Sequence, residues 1–338
     1  VGRQFDSAKD HFSPVFAGLF CLCGGGMEFS NGIFYSAADY YKSLFGKKAY
    51  KVSLDAGCTC PNRDGTKGTG GCAFCSASGS GDFAQDRTLS VKEQLEKAKR
   101  LVSAKLREPL YIAYFQNFTS TYGNAKRLLA LFAQAADASE VCGVAIATRP
   151  DCLSDEMLAG LSELSRRTYV SVELGFQTSN PQTAHAINRC YENAELDTAI
   201  KRIKRAAPSV HIVCHVIFGL PGETADDMLS SVRYVVGSGA DGIKIAVLHI
   251  LRGTALYEDW AAGRVPCMEM DDYFYVLGEA LKIIPQKMVV HRLTGDGAKR
   301  ILCAPLWTAC KKRVLNAMLK YFRANGIRQG LCFEQKSH

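Results

Sequence analysis

Four cysteines crowd into one glycine-rich loop of the sequence, whereas the other ten are scattered along the chain. The loop reads CTCPNRDGTKGTGGCAFC, with thiols at Cys58, Cys60, Cys72 and Cys75. Glycine and proline interrupt regular structure here and let the backbone approach a bound group closely. Clustered thiolates are typical of metal centres, so the loop is predicted to bind a metal.

Two kinds of metal centre are compatible with these thiols. A structural zinc site would use all four as a closed tetrahedron, but paired zinc cysteines normally have about two to four residues between them. Cys58 and Cys60 are separated by one residue, and a strand-like continuation would send their side chains to opposite faces. The spacing therefore favours an iron–sulfur cluster, while zinc stays open as the alternative.

A cluster held by three of these thiols would have an open coordination site. Clusters normally bind one Cys thiolate per iron, so three thiolates leave one iron of a four-iron cluster free. The methionine amino and carboxylate groups of S-adenosylmethionine (SAM) can bind to that iron. Reductive cleavage of SAM then gives a 5′-deoxyadenosyl radical, and the protein positions and shields the cofactor that performs this step.

The elements that must position this loop repeat along the chain. Short β-branched runs alternate with helical periods, which is the pattern of βα units on a parallel sheet. Strands are predicted at residues 50–55, 110–115, 143–148, 169–175, 211–219 and 242–248. Helices are predicted at residues 90–107, 124–136, 154–165, 192–206 and 224–238.

Six such units predict an α/β fold with an open, partial (β/α)6 TIM-like barrel. A closed barrel needs about eight units, and a doubly wound sheet is the alternative that the pattern leaves open. In both architectures ligands bind at the carboxyl ends of the strands, and the cysteine loop directly follows the first strand.

The chain is predicted to have three parts. Residues 1–26 are interpreted as a non-native or disordered extension before Met27, although the short apolar stretch at 16–23 also resembles part of a signal peptide. Residues 27–250 are expected to form the barrel, and residues 251–338 a helical extension that packs on it. The last predicted helix is basic, and it is expected to close the barrel edge or, alternatively, to contact RNA.

Composition limits the class of protein. A chain of 338 residues with 47% hydrophobic residues can bury a full core, and no apolar run approaches the roughly 18 residues of a membrane span. Cysteine usage does not fit a small secreted disulfide protein, so we expect a cytoplasmic protein without a membrane contact. The net charge of +8 favours an anionic partner such as nucleic acid, although it also serves solubility.

The cysteine loop and several later segments of the sequence together resemble one known protein family. The chain resembles the YhcC-like radical SAM proteins, relatives of the Elongator catalytic subunit, over residues 28–320. The matching segments are KVSLDAGCTCPNRDGTKGTGGCAFC, ATRPDCLSDEML, VELGFQT, INR, VIFGLPGET, LHILRGT, HRLTGDG and APLW. The resemblance implies a radical SAM barrel with a [4Fe-4S] cluster and SAM as cofactors.

The resemblance also implies roles for single residues. The cluster ligands correspond to Cys60, Cys72 and Cys75. Cys58 lies where an aromatic residue is usual in the family, so it is interpreted as a non-ligand thiol near the cluster. Phe74 occupies the position at which radical SAM enzymes commonly place an aromatic ring against the adenine.

Further SAM contacts are expected near the strand ends. The Gly-Gly-Glu motif of many radical SAM enzymes is missing after the second strand, where Gln116 and Thr119 are the available polar groups. Arg189 is expected to pair with the SAM carboxylate, and a helix-end salt bridge is its alternative role. Polar groups and a tight turn after the fourth and fifth strands complete the set: Glu173, Gln177, Gly219, Pro221 and Gly222.

Three functions stay open. The first is radical chemistry on RNA, such as a tRNA base, as the Elongator kinship suggests. The second is the same chemistry on a protein or a small metabolite, and the third is a zinc-stabilised binding module without catalysis. Both enzyme functions require an external one-electron donor such as flavodoxin or ferredoxin. His215 and His291 lie in apolar runs and are interpreted as core residues.

Overall fold

The computed structural model describes residues 29–79, 81–103, 109–295 and 297–333. The predicted extension at residues 1–26 lies outside these described residues. Nine strands are present within them, namely β1 (Ala49–Leu54), β2 (Leu110–Phe115), β3 (Val141–Thr148), β4 (Tyr169–Gln177), β5 (His211–Phe218), β6 (Gly242–Val247), β7 (Ile250–Leu251), β8 (Val289–Arg292) and β9 (Leu302–Ala304).

Seven of these strands form one parallel sheet in the order β1-β2-β3-β4-β5-β6-β8. The sheet curls into a half-barrel. The curvature is seen in the contacts of Glu173, since Lys51 in β1 and Lys244 in β6 both reach this residue of the central strand β4. Strands β7 and β9 pair antiparallel in a separate two-stranded sheet. The predicted α/β half-barrel is therefore confirmed.

Helices connect the strands and cover the outer face of the sheet. Those described are α1 (Ala37–Phe45), α2 (Val91–Ser103), α3 (Ala125–Ala136), α4 (Asp155–Ser165), α5 (Pro181–Ala186), α6 (Asn193–Ala206), α7 (Ala225–Ser238), α8 (Ala255–Ala261), α9 (Met270–Ile283) and α10 (Lys311–Ala324). Polar side chains cap several helix starts by accepting a backbone N–H, as Ser154 does for α4 and Thr224 for α7. The helices begin where the sequence places such caps.

The main core lies between the sheet and these helices. Alternate strand residues such as Ile146 and Leu174 are fully buried against helical side chains. Phe115 in β2 and Phe132 in α3 approach with ring centroids 4.8 Å apart. Because side chains alternate along a strand, the intervening residues point into the half-barrel, and there they are largely polar or small.

The predicted number of strands is wrong by one. Each of the six predicted strands is present with ends shifted by at most two residues. The seventh, β8, comes from the segment interpreted as part of the extension and pairs parallel with β6. Its four residues, VVHR, are too few to show a period, and the β7 and α8 insertion separates it from the repeating units.

The C-terminal segment contributes side chains to the main core. A short 3-10 helix (Leu306–Ala309) precedes α10, whose face of Val314, Met318 and Phe322 is buried. Beyond α10, the Gln329 amide donates to the carbonyls of Pro285 and Met288, each at 2.8 Å. Within the described residues, no helix has the length and apolar character needed to cross a membrane.

Candidate active site

A cavity opens at the carboxyl ends of the parallel strands. Cys60, Cys72 and Cys75 line it together, each half-buried. The loop that carries them begins directly after β1, so the strand places its first thiol at the top of the half-barrel. The three thiols therefore share one space with the polar interior of the barrel.

Local hydrogen bonds fold the cysteine loop over this space. The Gly71 amide donates to the Asn62 carbonyl at 2.7 Å, and the Cys75 amide donates to the Cys72 carbonyl at 2.9 Å. Gly71 has a φ of 82°, and a Cβ there would come within 2.8 Å of the Arg63 side chain. Glycine is thus required where the loop turns against Arg63.

The segment 187–191 clamps the cysteine loop from the side. The backbone amide of Ala73 donates to the Ile187 carbonyl at 3.0 Å. The side-chain amide of Asn188 donates to the Gly71 carbonyl at 2.8 Å. Buried Asn62 donates to the Asn188 carbonyl and lies 3.6 Å from Cys72 Sγ. The thiols are therefore positioned by protein contacts on two sides.

Cys58 lies outside the cavity lining. It is 4% exposed and belongs to the main hydrophobic core. Burial raises the pKa of its thiol to about 11, but burial also raises the pKa of Cys72, so it is the position of Cys58 outside the lining that distinguishes it. The prediction that Cys58 is not a ligand agrees with this position.

Six predicted SAM contacts line the same cavity as the thiols. They are Phe74, Gln116, Thr119, Glu173, Gln177 and Arg189. The Gln116 Oε1 accepts a hydrogen bond from Ser53 Oγ at 3.0 Å, so it is already oriented by β1. Gln177 adopts a left-handed φ of 67° at the end of β4. The end of β4 therefore departs from extended geometry where the cavity begins.

Arg189 lines the cavity, but its donors are occupied. All five guanidinium N–H groups donate within the protein, at 2.7 to 3.0 Å, and the residue is 1% exposed. The acceptors are Phe176 O, Thr178 O, Tyr191 O and Asn193 Oδ1. No guanidinium N–H group of Arg189 is left for the predicted pairing with a SAM carboxylate. We therefore assign Arg189 to holding the segment 187–191 against the end of β4.

The structure does not bring the predicted turn after β5 into the cavity lining. Gly219, Pro221 and Gly222 are not among the cavity-lining residues. A Cβ at Gly219 would lie 2.8 Å from the Met268 side chain, which covers the turn. Sequence alone gave no sign of this cover, because Met268 lies some fifty residues later.

Glu173 is the centre of a charged cluster below the thiols. Tyr114 donates to Glu173 at 2.8 Å, His215 Nε2 is 2.6 Å from it, and Lys244 lies at 3.3 Å. Lys51 forms a further ion pair with the same carboxylate. Burial would raise the pKa of Glu173, but Lys51 and Lys244 hold it well below its usual range.

The same burial acts in the opposite direction on the cations. It lowers the pKa of Lys244 to about 8 and that of His215 to about 4, so the histidine is neutral at pH 7. Glu173 was expected to contact SAM, whereas here it binds lumen side chains. His215, Lys244 and Tyr114 were missed as cavity residues. The signal was available, since they occupy inward positions of their strands.

Aromatic and cationic side chains form the rim. Arg63 and Arg87 lie over the Phe118 ring, 5.5 and 5.3 Å from its centroid. On the other side, Tyr191 lies between Arg149 and Arg189, at 4.9 and 4.4 Å. Sequence reasoning missed these contacts; in three of the four pairs the partners come from different loops.

Comparisons with known proteins agree with this geometry. A model of the Radical SAM superfamily matches residues 63–235, about half of the chain, and a model of the Radical_SAM C-terminal domain matches residues 240–324. The chain belongs to the radical SAM superfamily. It is therefore an enzyme, and radical SAM enzymes use a [4Fe-4S] cluster and SAM.

Several relatives of this radical SAM chain can be named. YtqA of Bacillus subtilis is 39% identical, covering 89% of this chain and 93% of its own length. YhcC of Escherichia coli K12 is 35% identical, covering 84% and 90%. A tRNA-2-methylthio-N(6)-dimethylallyladenosine synthase of Thermotoga petrophila is 22% identical over 52% of this chain and 40% of its own. The predicted YhcC-like membership is confirmed.

A solved structure shares the fold. Elp3 of Methanocaldococcus infernus, with its N-terminus deleted, superposes with a TM-score of 0.58 at 18% identity. The match covers 83% of the radical SAM chain and 64% of the Elp3 chain. The half-barrel is thus shared, and the rest of Elp3 has no counterpart in this match.

No three His, Cys, Asp or Glu side chains in the described part of the chain converge closely enough to hold a single metal ion. The thiolates of a four-iron cube stand further apart than the ligands of one ion. Three thiols share one cavity and Cys58 lies buried outside its lining, which fits a three-thiolate cluster better than a four-cysteine zinc site.

Proposed function

We propose that this radical SAM enzyme modifies RNA, with a base of tRNA as substrate, and that Cys60, Cys72 and Cys75 bind its cluster. The observation that carries the ligand assignment is the shared cavity of these three thiols, from which Cys58 is excluded. With three ligands the cluster keeps one iron open for SAM.

The cavity lining supports a place for SAM next to the thiols. Phe74 offers a ring for the adenine, and Gln116, Thr119 and Gln177 offer polar atoms to the ribose and methionine groups. When bound to the cluster, SAM supplies a 5′-deoxyadenosyl radical that abstracts hydrogen from a substrate. The remaining work of the chain is to orient the substrate and exclude water.

The lumen below offers space and polar groups for a substrate. Ala147 and Gly175 are small residues in the cavity wall, so the space extends past them to Tyr114, His215 and Lys244. These three side chains are carried by strands and held by Glu173, so they can hydrogen-bond a flat polar group in a fixed geometry. A nucleobase is such a group.

Charge at the rim supports an anionic substrate. Arg87, which pairs with Asp55, is 45% exposed and lies beside Phe118, and Lys67, which pairs with Asp151, is 40% exposed. Cations interleaved with aromatic rings suit phosphates and stacked bases. The tRNA-modifying relative supports the same substrate class.

We further propose that the enzyme works in the cytoplasm with flavodoxin or ferredoxin as electron donor. The twelve cysteines described in the structure are all free thiols, which suits a reducing compartment. A low-potential donor is required because reductive SAM cleavage consumes an electron from the cluster.

The ligand assignment is tested by anaerobic reconstitution and analysis of iron, sulfide and zinc. The variants Cys60→Ala, Cys72→Ala and Cys75→Ala should each lose the cluster and 5′-deoxyadenosine formation from SAM and dithionite. Cys58→Ser is the matched control and should keep both. Loss of iron in Cys58→Ser, or zinc without sulfide in the wild-type protein, would contradict the assignment.

The substrate class is tested with tRNA from a strain that lacks the gene. Nucleosides of this tRNA are compared by mass spectrometry before and after incubation with holoenzyme, SAM and reductant. We expect one nucleoside to change mass in a SAM-dependent way, with none changing in the Cys72→Ala protein. Unchanged nucleosides together with rapid turnover of a peptide or metabolite would favour the second function instead.

A further inference from the structure

The net charge of the chain is concentrated in its C-terminal segment. Residues 297–333 contain eight Lys and Arg and no Asp or Glu. This equals the net charge of +8 for the whole chain, so the remaining residues hold 33 basic and 33 acidic side chains and are balanced. A general solubility role would not require all of the excess in one segment.

Helix α10 displays much of this charge on one face. Val314, Met318 and Phe322 are its buried side. The opposite face is exposed and carries a stripe at helical spacing: Lys312, Arg313, Asn316, Lys320 and Arg323. From Lys312 to Lys320 the stripe extends about 12 Å along the helix axis.

The described part of the chain does not neutralise this stripe. Among the residues that the structure describes, Lys312, Arg313 and Lys320 have no ion-pair partner. The first turn of α10 holds no acidic residue, although the helix dipole disfavours cations there. Within the described residues these cations gain neither an ion pair nor support from the helix dipole, so they are available to an anionic partner.

Helix α10 begins at the cavity end of the barrel. It follows the 3-10 helix and β9, which pairs with β7 just beyond the carboxyl end of β6. Trp307 donates to the Met268 carbonyl at 3.0 Å, and Met268 covers Gly219 at the end of β5. The far end leads to Gln329, which is bonded to the segment before β8, at the opposite end of the sheet.

We infer that Lys312, Arg313 and Lys320 bind backbone phosphates of the RNA while the target base enters the cavity. The inference rests on the proposed function and identifies the surface that holds the RNA. Lysine and arginine contacts to phosphate are sequence-independent and need no buried apolar patch. An acidic electron donor would be attracted by the same charge, so the test below separates it from RNA.

The test compares two triple variants with the same loss of charge. Lys312→Gln, Arg313→Gln and Lys320→Gln remove the stripe. Lys201→Gln, Lys204→Gln and Arg205→Gln remove exposed cations from the last turns of α6, at the opposite end of the barrel. Holoenzyme with each set is titrated with unmodified tRNA at several salt concentrations, and flavodoxin-driven cluster reduction is measured in parallel.

We expect the stripe variant to bind tRNA at least about tenfold more weakly and to have a salt slope smaller by about two. The α6 variant should bind like the wild type, and both should form 5′-deoxyadenosine from SAM and dithionite as the wild type does. Equal weakening in both variants, or slower reduction by flavodoxin with unchanged tRNA binding, would overturn the inference alone. A wild-type enzyme that binds no tRNA at low salt would instead overturn the proposed function, and this inference with it.

Discussion

Removing the charge of Glu173 is the sharpest test of how the lumen is built. Glu173 is 1% exposed and contacts Lys51, Lys244, His215 and Tyr114. Glu173→Gln keeps the size of the side chain but leaves two lysines without their counter-ion. Breaking a buried ion pair from one side costs about 3–5 kcal/mol, so we expect a loss of that order in the free energy of unfolding at pH 7.

The pH dependence of this loss follows from Lys244. Its pKa in the folded protein, about 8, lies below its value in the unfolded chain, so the unfolded chain binds more protons between these values. Stability from this group therefore rises with pH through that window. Without Glu173 the pKa of Lys244 in the folded protein falls further, so the pH range over which stability rises starts at a lower pH. The loss in Glu173→Gln should be smaller at pH 9 than at pH 7.

Equilibrium urea unfolding of the reduced apoprotein, followed by circular dichroism, measures both effects. Glu173→Gln combined with Lys51→Met should recover at least about 2 kcal/mol, because the unpaired charge is removed. Glu163→Gln is the matched control, since its pair with Arg166 is largely exposed and is worth about 0.5 kcal/mol. A loss below about 1 kcal/mol that Lys51→Met does not change would refute the buried-charge reasoning.

Three further predictions follow from single contacts. Asn62→Leu removes the amide near Cys72 Sγ that would stabilise the reduced cluster, so redox titration by electron paramagnetic resonance should give a more negative midpoint potential at unchanged iron content. Arg189→Lys cannot bridge the four acceptors of the guanidinium and should lower the free energy of unfolding by about 1–3 kcal/mol in urea. Burial raises the pKa of Glu223 to about 7, so the folded state binds more protons than the unfolded chain, and the contribution of Glu223 to stability falls as pH rises from about 4.5 to 7. In Glu223→Gln the melting temperature should therefore depend less on pH across that range.

The sequence predicted the repeating part of the fold because hydrophobic periods record which face of each element is buried. It also grouped the thiols, since Cys60, Cys72 and Cys75 lie in one loop. Strand β8 was not predicted, because its four residues are too few to show an alternation of buried and exposed positions. Its place in the sheet depends on pairing with β6, a contact between segments more than forty residues apart.

The position of a site residue could be predicted from the sequence only where a single segment of the chain fixes that position. Phe74 lies between two thiols of the loop, so its cavity position followed from theirs. Arg189 could be placed near the site, but its five donors are consumed by the Tyr191 carbonyl and by acceptors at the end of β4 and the start of α6. Periodicity cannot reveal such occupancy, because it reports burial of a position rather than the partners of its polar atoms.

Access to the lumen depends on how its other end is closed. Helix α1 crosses the amino ends of the strands, where Tyr40 stacks on His211 with ring centroids 4.6 Å apart. His211 Nε2 lies 2.9 Å from His291 Nε2 in β8, and burial lowers the pKa of His211 to about 3, so that imidazole is neutral at pH 7. The seventh strand thus helps to seal the base with packed, uncharged rings. Since the base is closed, SAM and substrate must both enter at the thiol end, which is where the basic stripe of α10 begins.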